Sequence, residues 1–86
     1  MSKYFSLPSD PDSEQTFRGL VLAFKDHWRE FRPRLYRALK KEGEERLDQA
    51  AKSKAEQMLT MFHNLSGPMG AHQAWYEAWK ETANTL

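Results

Sequence analysis

The chain has 86 residues and a mass of 10.1 kDa, which is room for one small domain. Thirteen basic residues against twelve acidic ones leave a formal charge of +1, so a polycation that wraps nucleic acid is excluded. Cysteine is absent, which excludes disulfides, thiol catalysis and thiolate metal sites, while a hydrophobic fraction of 40% with three Trp and five Phe is enough to fill a core.

Residues 1–12 read as an extended tail ahead of a single helical domain over 13–86. Pro8 and Pro11 with Asp10 and Asp12 favour extended and turn conformations, and Tyr4, Phe5 and Leu7 are apolar enough to lie against a surface. The same tail, with Ser6, Pro8 and Asp10 interrupting it, lacks the apolar stretch of a secretory leader. The longest apolar run, residues 20–24, is far below the roughly twenty residues of a membrane span, so a cytoplasmic protein is expected.

A first helix is expected to begin between Asp10 and Ser13, residue types that cap helix N-termini, and to run to about Phe31. Phe17, Leu20, Val21, Phe24, Trp28 and Phe31 recur at spacings of three and four and form one stripe. Gly19 lies off that stripe and marks a candidate close approach by another backbone. Pro33 disfavours helical geometry at Arg32, so a kink or break is expected there, with Pro33 opening a second helix to about Glu42. Leu35, Tyr36 and Leu39 are its apolar face and Gly43 its stop. A third helix is expected over about 44–63, with Leu47, Ala51, Ala55, Met58, Leu59 and Phe62 inward, and three alanines that let a neighbour come close. Residues 64–70, Asn-Leu-Ser-Gly-Pro-Met-Gly, read as a loop. A fourth helix over about 71–82 places Ala74, Trp75, Ala78 and Trp79 on one face and leaves Tyr76 aside, with fraying expected past Asn84. Valine occurs once and no alternating stretch exists. The expected fold is all-α: a small bundle of three to four helices with a kink or break at Pro33.

Chemistry-bearing constellations are sparse. His27, His63 and His72 lie too far apart in sequence to share a helical turn as a metal pair. Asp26 and His27 are neighbours that face different directions on a helix and make no dyad. Ser66-Gly67 follows no strand, and no Gly-Lys-Ser/Thr accompanies the glycines, so neither a nucleophile elbow nor a phosphate loop is present. The sequence points to no enzyme and to no cofactor or metal. Core packing is expected for Trp75, Trp79, Met58, Met61 and Met69.

The pronounced feature is charge. Between Arg29 and Lys41 there are six cations and only Glu30 as a counter-charge. Arg34, Arg37 and Lys41 follow helical spacing opposite Leu35 and Leu39, with Lys40 beside them. Glu42, Glu44, Glu45 and Asp48 follow at once and are the acids that would neutralise this ridge. Unpaired, it would grip an acidic protein surface or nucleic acid. Glu44 and Glu45 at the start of the third helix would repel phosphates, which disfavours that helix as a groove reader. Candidate partner-binding residues are Arg29, Arg34, Arg37, Lys40 and Lys41, with Tyr36 or Tyr76 as aromatic anchor. A homodimer is a further expectation, since a short bundle this rich in aromatics carries surplus apolar surface.

Arg32-Pro33-Arg34-Leu35-Tyr36-Arg37-Ala38-Leu39-Lys40-Lys41-Glu42-Gly43 resembles the hRPxLYxxLkxxGxL stretch of TnpV-type transposon proteins and of similar small phage-borne proteins. His72-Gln73-Ala74-Trp75-Tyr76-Glu77 resembles the HEAWE stretch near the end of some of them. Where that pattern has an apolar residue soon after the glycine, this chain has Glu44-Glu45-Arg46 before Leu47. The resemblance implies an accessory protein of a phage or mobile element, acting by contact with a host or phage protein, a defence protein included.

Overall fold

The computed structural model describes residues 7–83, and among them the chain forms helices α1 (Glu14–Phe31), α2 (Pro33–Glu42), α3 (Glu44–Met69) and α4 (Ala71–Ala83), with no strand. The small all-α bundle is therefore the fold. Helix α3 is its spine: α4 and α1 pack along it, α2 packs on α3 and α1, and α4 also touches α1. The expected contacts of Tyr4 and Phe5 and the expected fraying past Asn84 fall outside the described residues.

Local chemistry explains the boundaries. Ser13 caps α1, its Oγ accepting from the Thr16 amide at 3.1 Å, with acidic Glu14 in the first turn. A turn at Pro11 and Asp12 leads into the helix: the Asp10 carboxylate accepts the Asp12 amide at 3.1 Å and its carbonyl accepts the Thr16 hydroxyl at 2.6 Å. Leu7 rests on the core, and Asp12 meets His63 Nε2 at 2.7 Å, so this stretch is docked on the bundle.

At Arg32 the chain breaks rather than kinks. Arg32 (φ −135°, ψ 62°) is at once the C-cap of α1 and the N-cap of α2. Its amide donates to the Trp28 carbonyl at 2.8 Å and its carbonyl accepts from the Tyr36 amide at 3.0 Å, so both ladders run up to a single residue. Pro33 then occupies the first helical position, where its missing N–H costs nothing. Gly43 (φ 129°) and Gly70 (φ 77°) make the next two corners in backbone conformations that L side chains rarely adopt.

The loop expected over 64–70 is not there. Helix α3 continues through it to Met69, with Pro68 inside its last turn. The proline Cδ crowds the backbone N–H and the Cβ of the residue before it, and here that residue is Gly67, which removes the Cβ part of the clash. Leu65 meanwhile packs against the core and holds the extra turn in place. Pro68 forfeits one backbone bond, and Gly70 supplies the actual stop.

The core comprises Leu20, Val21, Ala23, Phe24 and Trp28 from α1, Leu39 from α2, a row from Leu47 to Phe62 on α3, and Ala74, Trp75, Ala78 and Trp79 from α4. Phe24 stacks on Trp79 with centroids 4.7 Å apart, and Phe62 meets Trp75 edge-on at 5.2 Å. Both α4 tryptophans are thus core residues, with Tyr76 aside. Two expected core residues are exposed. Phe31 is 67% exposed, because the chain turns at Arg32 immediately after it and no neighbour extends to cover it. Met69, the last residue of α3, is likewise exposed.

Gly19 marks no close approach. A Cβ built there meets nothing within 4 Å, and the residue lies exposed in the interior of α1. Gly19→Ala is accordingly expected to stabilise the bundle by about 0.5–1 kcal/mol, read as a higher urea midpoint at unchanged slope. An unchanged or lower midpoint would restore the close-approach reading.

Candidate functional site

The basic ridge sits on α2, a short helix held to the bundle by Leu39 and, half-buried, by Leu35 and Tyr36. Arg34, Arg37, Lys40 and Lys41 are all exposed. Among the described residues none of these four takes part in an ion pair. The acids that follow in sequence are committed elsewhere or face away from them. Glu42 reaches Arg46 at 4.0 Å. Asp48 is held between Lys25 Nζ at 2.7 Å and Lys52 Nζ at 3.0 Å. Those two hydrogen bonds, Lys25's the stronger, pull the Asp48 carboxyl below the usual carboxylate range. Glu44 and Glu45 begin α3 beyond the Gly43 corner and make no ion pair with the ridge.

The other candidates divide. Arg29 is tied to Asp26 at 3.3 Å across one turn of α1, so it is the one predicted cation already engaged. Tyr36 lies on the flank of α2 with the Lys40 ammonium 5.8 Å from its ring centroid. Tyr76 is 40% exposed with Lys80 over its ring at 5.8 Å, but it belongs to α4, which rests on α3 and α1 rather than on α2. The packing therefore joins Tyr36 to the ridge and does not bring Tyr76 to it.

The aromatic residue that sequence reasoning missed is Phe31. It lies at the α1–α2 corner and, with Arg32, Pro33, Arg34 and Leu35, lines a shallow cleft at the head of the ridge. Its ring tilts against His27 at 5.0 Å, and His27 in turn meets Trp79 edge-on at 5.5 Å, so the exposed phenyl is braced from the core. Burial, and secondarily the charge of Arg32, push the His27 pKa down, which favours the neutral ring in this apolar setting. The available signal was positional. Phe31 is the last apolar residue before the expected break, where a stripe runs off its neighbour.

Two charged groups, one on α3 and one at the α1–α2 corner, hold polar atoms out of water that nothing in the sequence marks for burial. Lys54 of α3 is 7% exposed, and one guanidinium nitrogen of Arg32, Nη1, is buried with no hydrogen-bond partner. Among the described residues no group of three or more His, Asp and Glu is placed to hold a metal ion, and no helix is long and apolar enough to cross a membrane. No family model matches this chain, and neither a curated protein nor a solved structure matches it.

Proposed function

We propose that this chain is a non-enzymatic interaction protein that binds an acidic protein surface through α2, with Arg34, Arg37, Lys40 and Lys41 as the charged contact and Phe31 and Tyr36 as its aromatic components. The observation that carries the reading is the set of exposed α2 cations that pair with no carboxylate among the described residues, beside a braced and exposed phenyl ring. Cations free of internal partners add to association rate and selectivity, and an aromatic beside them supplies the apolar anchor that long-lived protein contacts need. The spacing of Arg34, Arg37 and Lys41 on one helical face fits carboxylates repeated every three or four residues, as on an acidic helix. The resemblance of the Arg32–Gly43 and His72–Glu77 stretches to TnpV-type and phage-borne proteins supports a role as a phage or mobile-element accessory factor, with a host or defence protein as the partner class.

The test compares wild type with Arg34→Glu/Arg37→Glu/Lys40→Gln/Lys41→Gln in capture from cells of the natural host, alongside binding to duplex DNA and to RNA at low salt. Glutamates in the first half of α2 and neutral residues in its last turn keep the helix dipole satisfied, so the variant is expected to fold, as circular dichroism would report. The expected result is a protein retained by wild type and lost with the variant, with no nucleic-acid binding. Equal retention by both would remove α2 as the site. Nucleic-acid binding that falls steeply with salt and disappears in the variant would replace the acidic protein with nucleic acid as the ligand.

A further inference from the structure

Lys54 of α3 is the one buried charged residue among those described. It forms no ion pair among the described residues. Its ammonium donates to Gln57 Oε1 at 3.2 Å, a neutral acceptor, and has donors to spare. An ammonium withdrawn from water without a counter-charge is costly. Elsewhere the chain follows the ordinary rule: Lys25, also partly buried, is matched by Asp48 at 2.7 Å. Burial first, and the charge of Arg32 second, push the Lys54 pKa down, the direction expected of an ammonium that lacks a carboxylate.

Lys54 lines a single cleft between α2 and α3 whose two sides are chemically unlike. Helix α2 contributes only Leu35 and Leu39. Helix α3 contributes Arg46, Gln49, Ser53 and Gln57, which recur at spacings of three, four and four and so form one polar line, with Ala50 beside them. No carboxylate lines the cleft. Its other cation, Arg46, reaches Glu42 at 4.0 Å and stands about 12 Å from Lys54 along α3. Lys54 is therefore the uncommitted charge of the cleft, next to an aliphatic strip and to neutral hydrogen-bonding groups.

We propose that the α2–α3 cleft binds a carboxylate that carries an aliphatic chain, with Lys54 as the charged contact and with Leu35 and Leu39 against the chain. Ser53 precedes Lys54 and Gln57 follows it by one turn, and both line the same cleft, so a hydroxyl and an amide accompany the ammonium there. A charge-assisted bond to a carboxylate is stronger than the present bond to a neutral amide and offsets the cost of burying the ammonium. This chemistry is shared by free aliphatic acids and by peptides that end in an aliphatic residue. The site is separate from the exposed ridge, since it uses none of Arg34, Arg37, Lys40 and Lys41.

The test titrates the isolated full chain with sodium hexanoate, at constant ionic strength made up with chloride, and follows backbone amide shifts. Hexanamide, which has the chain without the charge, and acetate, which has the charge without the chain, are the controls. The expected result is saturable shifts centred on residues 35–39 and 49–57, with hexanoate bound about 10-fold or more tighter than either control. N-acetyl-leucyl-leucine in a parallel arm distinguishes the sources: tighter binding than hexanoate identifies a peptide C-terminus, weaker binding a free acid. Lys54→Met, which keeps the apolar stem, should weaken hexanoate about 10- to 100-fold, the worth of one charge-assisted hydrogen bond, and leave hexanamide unchanged. Gln57→Glu sets a carboxylate of the chain's own where the amide now accepts from Lys54, and should have the same effect without removing the lysine. Arg37→Gln/Lys41→Gln should leave hexanoate affinity unchanged. Shifts that grow linearly with hexanoate, equal affinity for either control, binding that survives Lys54→Met or Gln57→Glu, or binding lost with Arg37→Gln/Lys41→Gln would overturn the assignment. The ridge reading is tested separately, by partner capture.

Discussion

Trp28→Ala is expected to cost about 3–5 kcal/mol, most of the roughly 5–10 kcal/mol that holds a domain of this size together. The indole of Trp28 has no exposed surface and lies 6.0 Å from the Phe24 ring, whose own position is set by stacking on Trp79. Removing it empties the place where α1 meets the rest of the core just before the chain turns at Arg32, and the cavity cannot collapse without shifting that turn. Trp28→Phe discriminates between volume and polarity. The Trp28 indole N–H is buried with no acceptor, so the smaller ring loses packing but also removes an unsatisfied donor. The phenylalanine variant should therefore cost less than half of what the alanine variant does. Urea unfolding followed by circular dichroism measures both. An alanine variant that loses less than about 1 kcal/mol, well below the range for large aromatic truncations, would mean that the Trp28 side chain is not the keystone of this end of the core.

The opposite change, addition of volume, should be nearly as damaging at Ala78. Ala74 and Ala78 are fully buried on α4, in line with Trp75 and Trp79, which insert toward Phe62 and Phe24. Small residues at such positions let a helix lie close to its neighbour, and here that closeness is what carries the two indoles into the core. Ala78→Leu forces α4 outward or drives side chains off their rotamers, at a cost of about 1–3 kcal/mol. Displacement of Trp75 and Trp79 should be visible as a red shift in tryptophan emission together with a lowered urea midpoint. Ala78→Ser adds one small atom and should leave the emission maximum in place. A leucine variant with wild-type midpoint and emission would show that the seam has slack.

Much of this architecture can be read from local chemistry. Pro33 sets the break at Arg32 because a ring on the backbone nitrogen acts on its immediate neighbours, and Gly43 ends α2 at a φ of 129° that L side chains rarely adopt. The inward faces of α1 and α4 follow from spacing alone. The misread segment, 64–70, shows where local rules weaken: each of Ser66, Gly67 and Pro68 favours a turn by itself, yet Gly67 removes part of the restriction that Pro68 imposes and Leu65 gains a core contact by staying helical. The outcome depends on a neighbour that the local pattern does not contain.

The candidate site divides along the same line. That Arg34, Arg37 and Lys41 share a face opposite Leu35 and Leu39 follows from the period of a helix, and the sequence alone determined it, together with the helical class, the corners at Pro33 and Gly43, and the inward tryptophans of α4. Tertiary structure decided which charges meet. Asp48, near the ridge in sequence, is taken by Lys25 from 23 residues away, which leaves the ridge without it. It also decided that Phe31 stands uncovered, that Gly19 faces open space, and that Lys54 is buried. The physical reason is range. Backbone preference and helical period act over about four residues along the chain, whereas burial and ion pairing depend on which surface arrives from elsewhere.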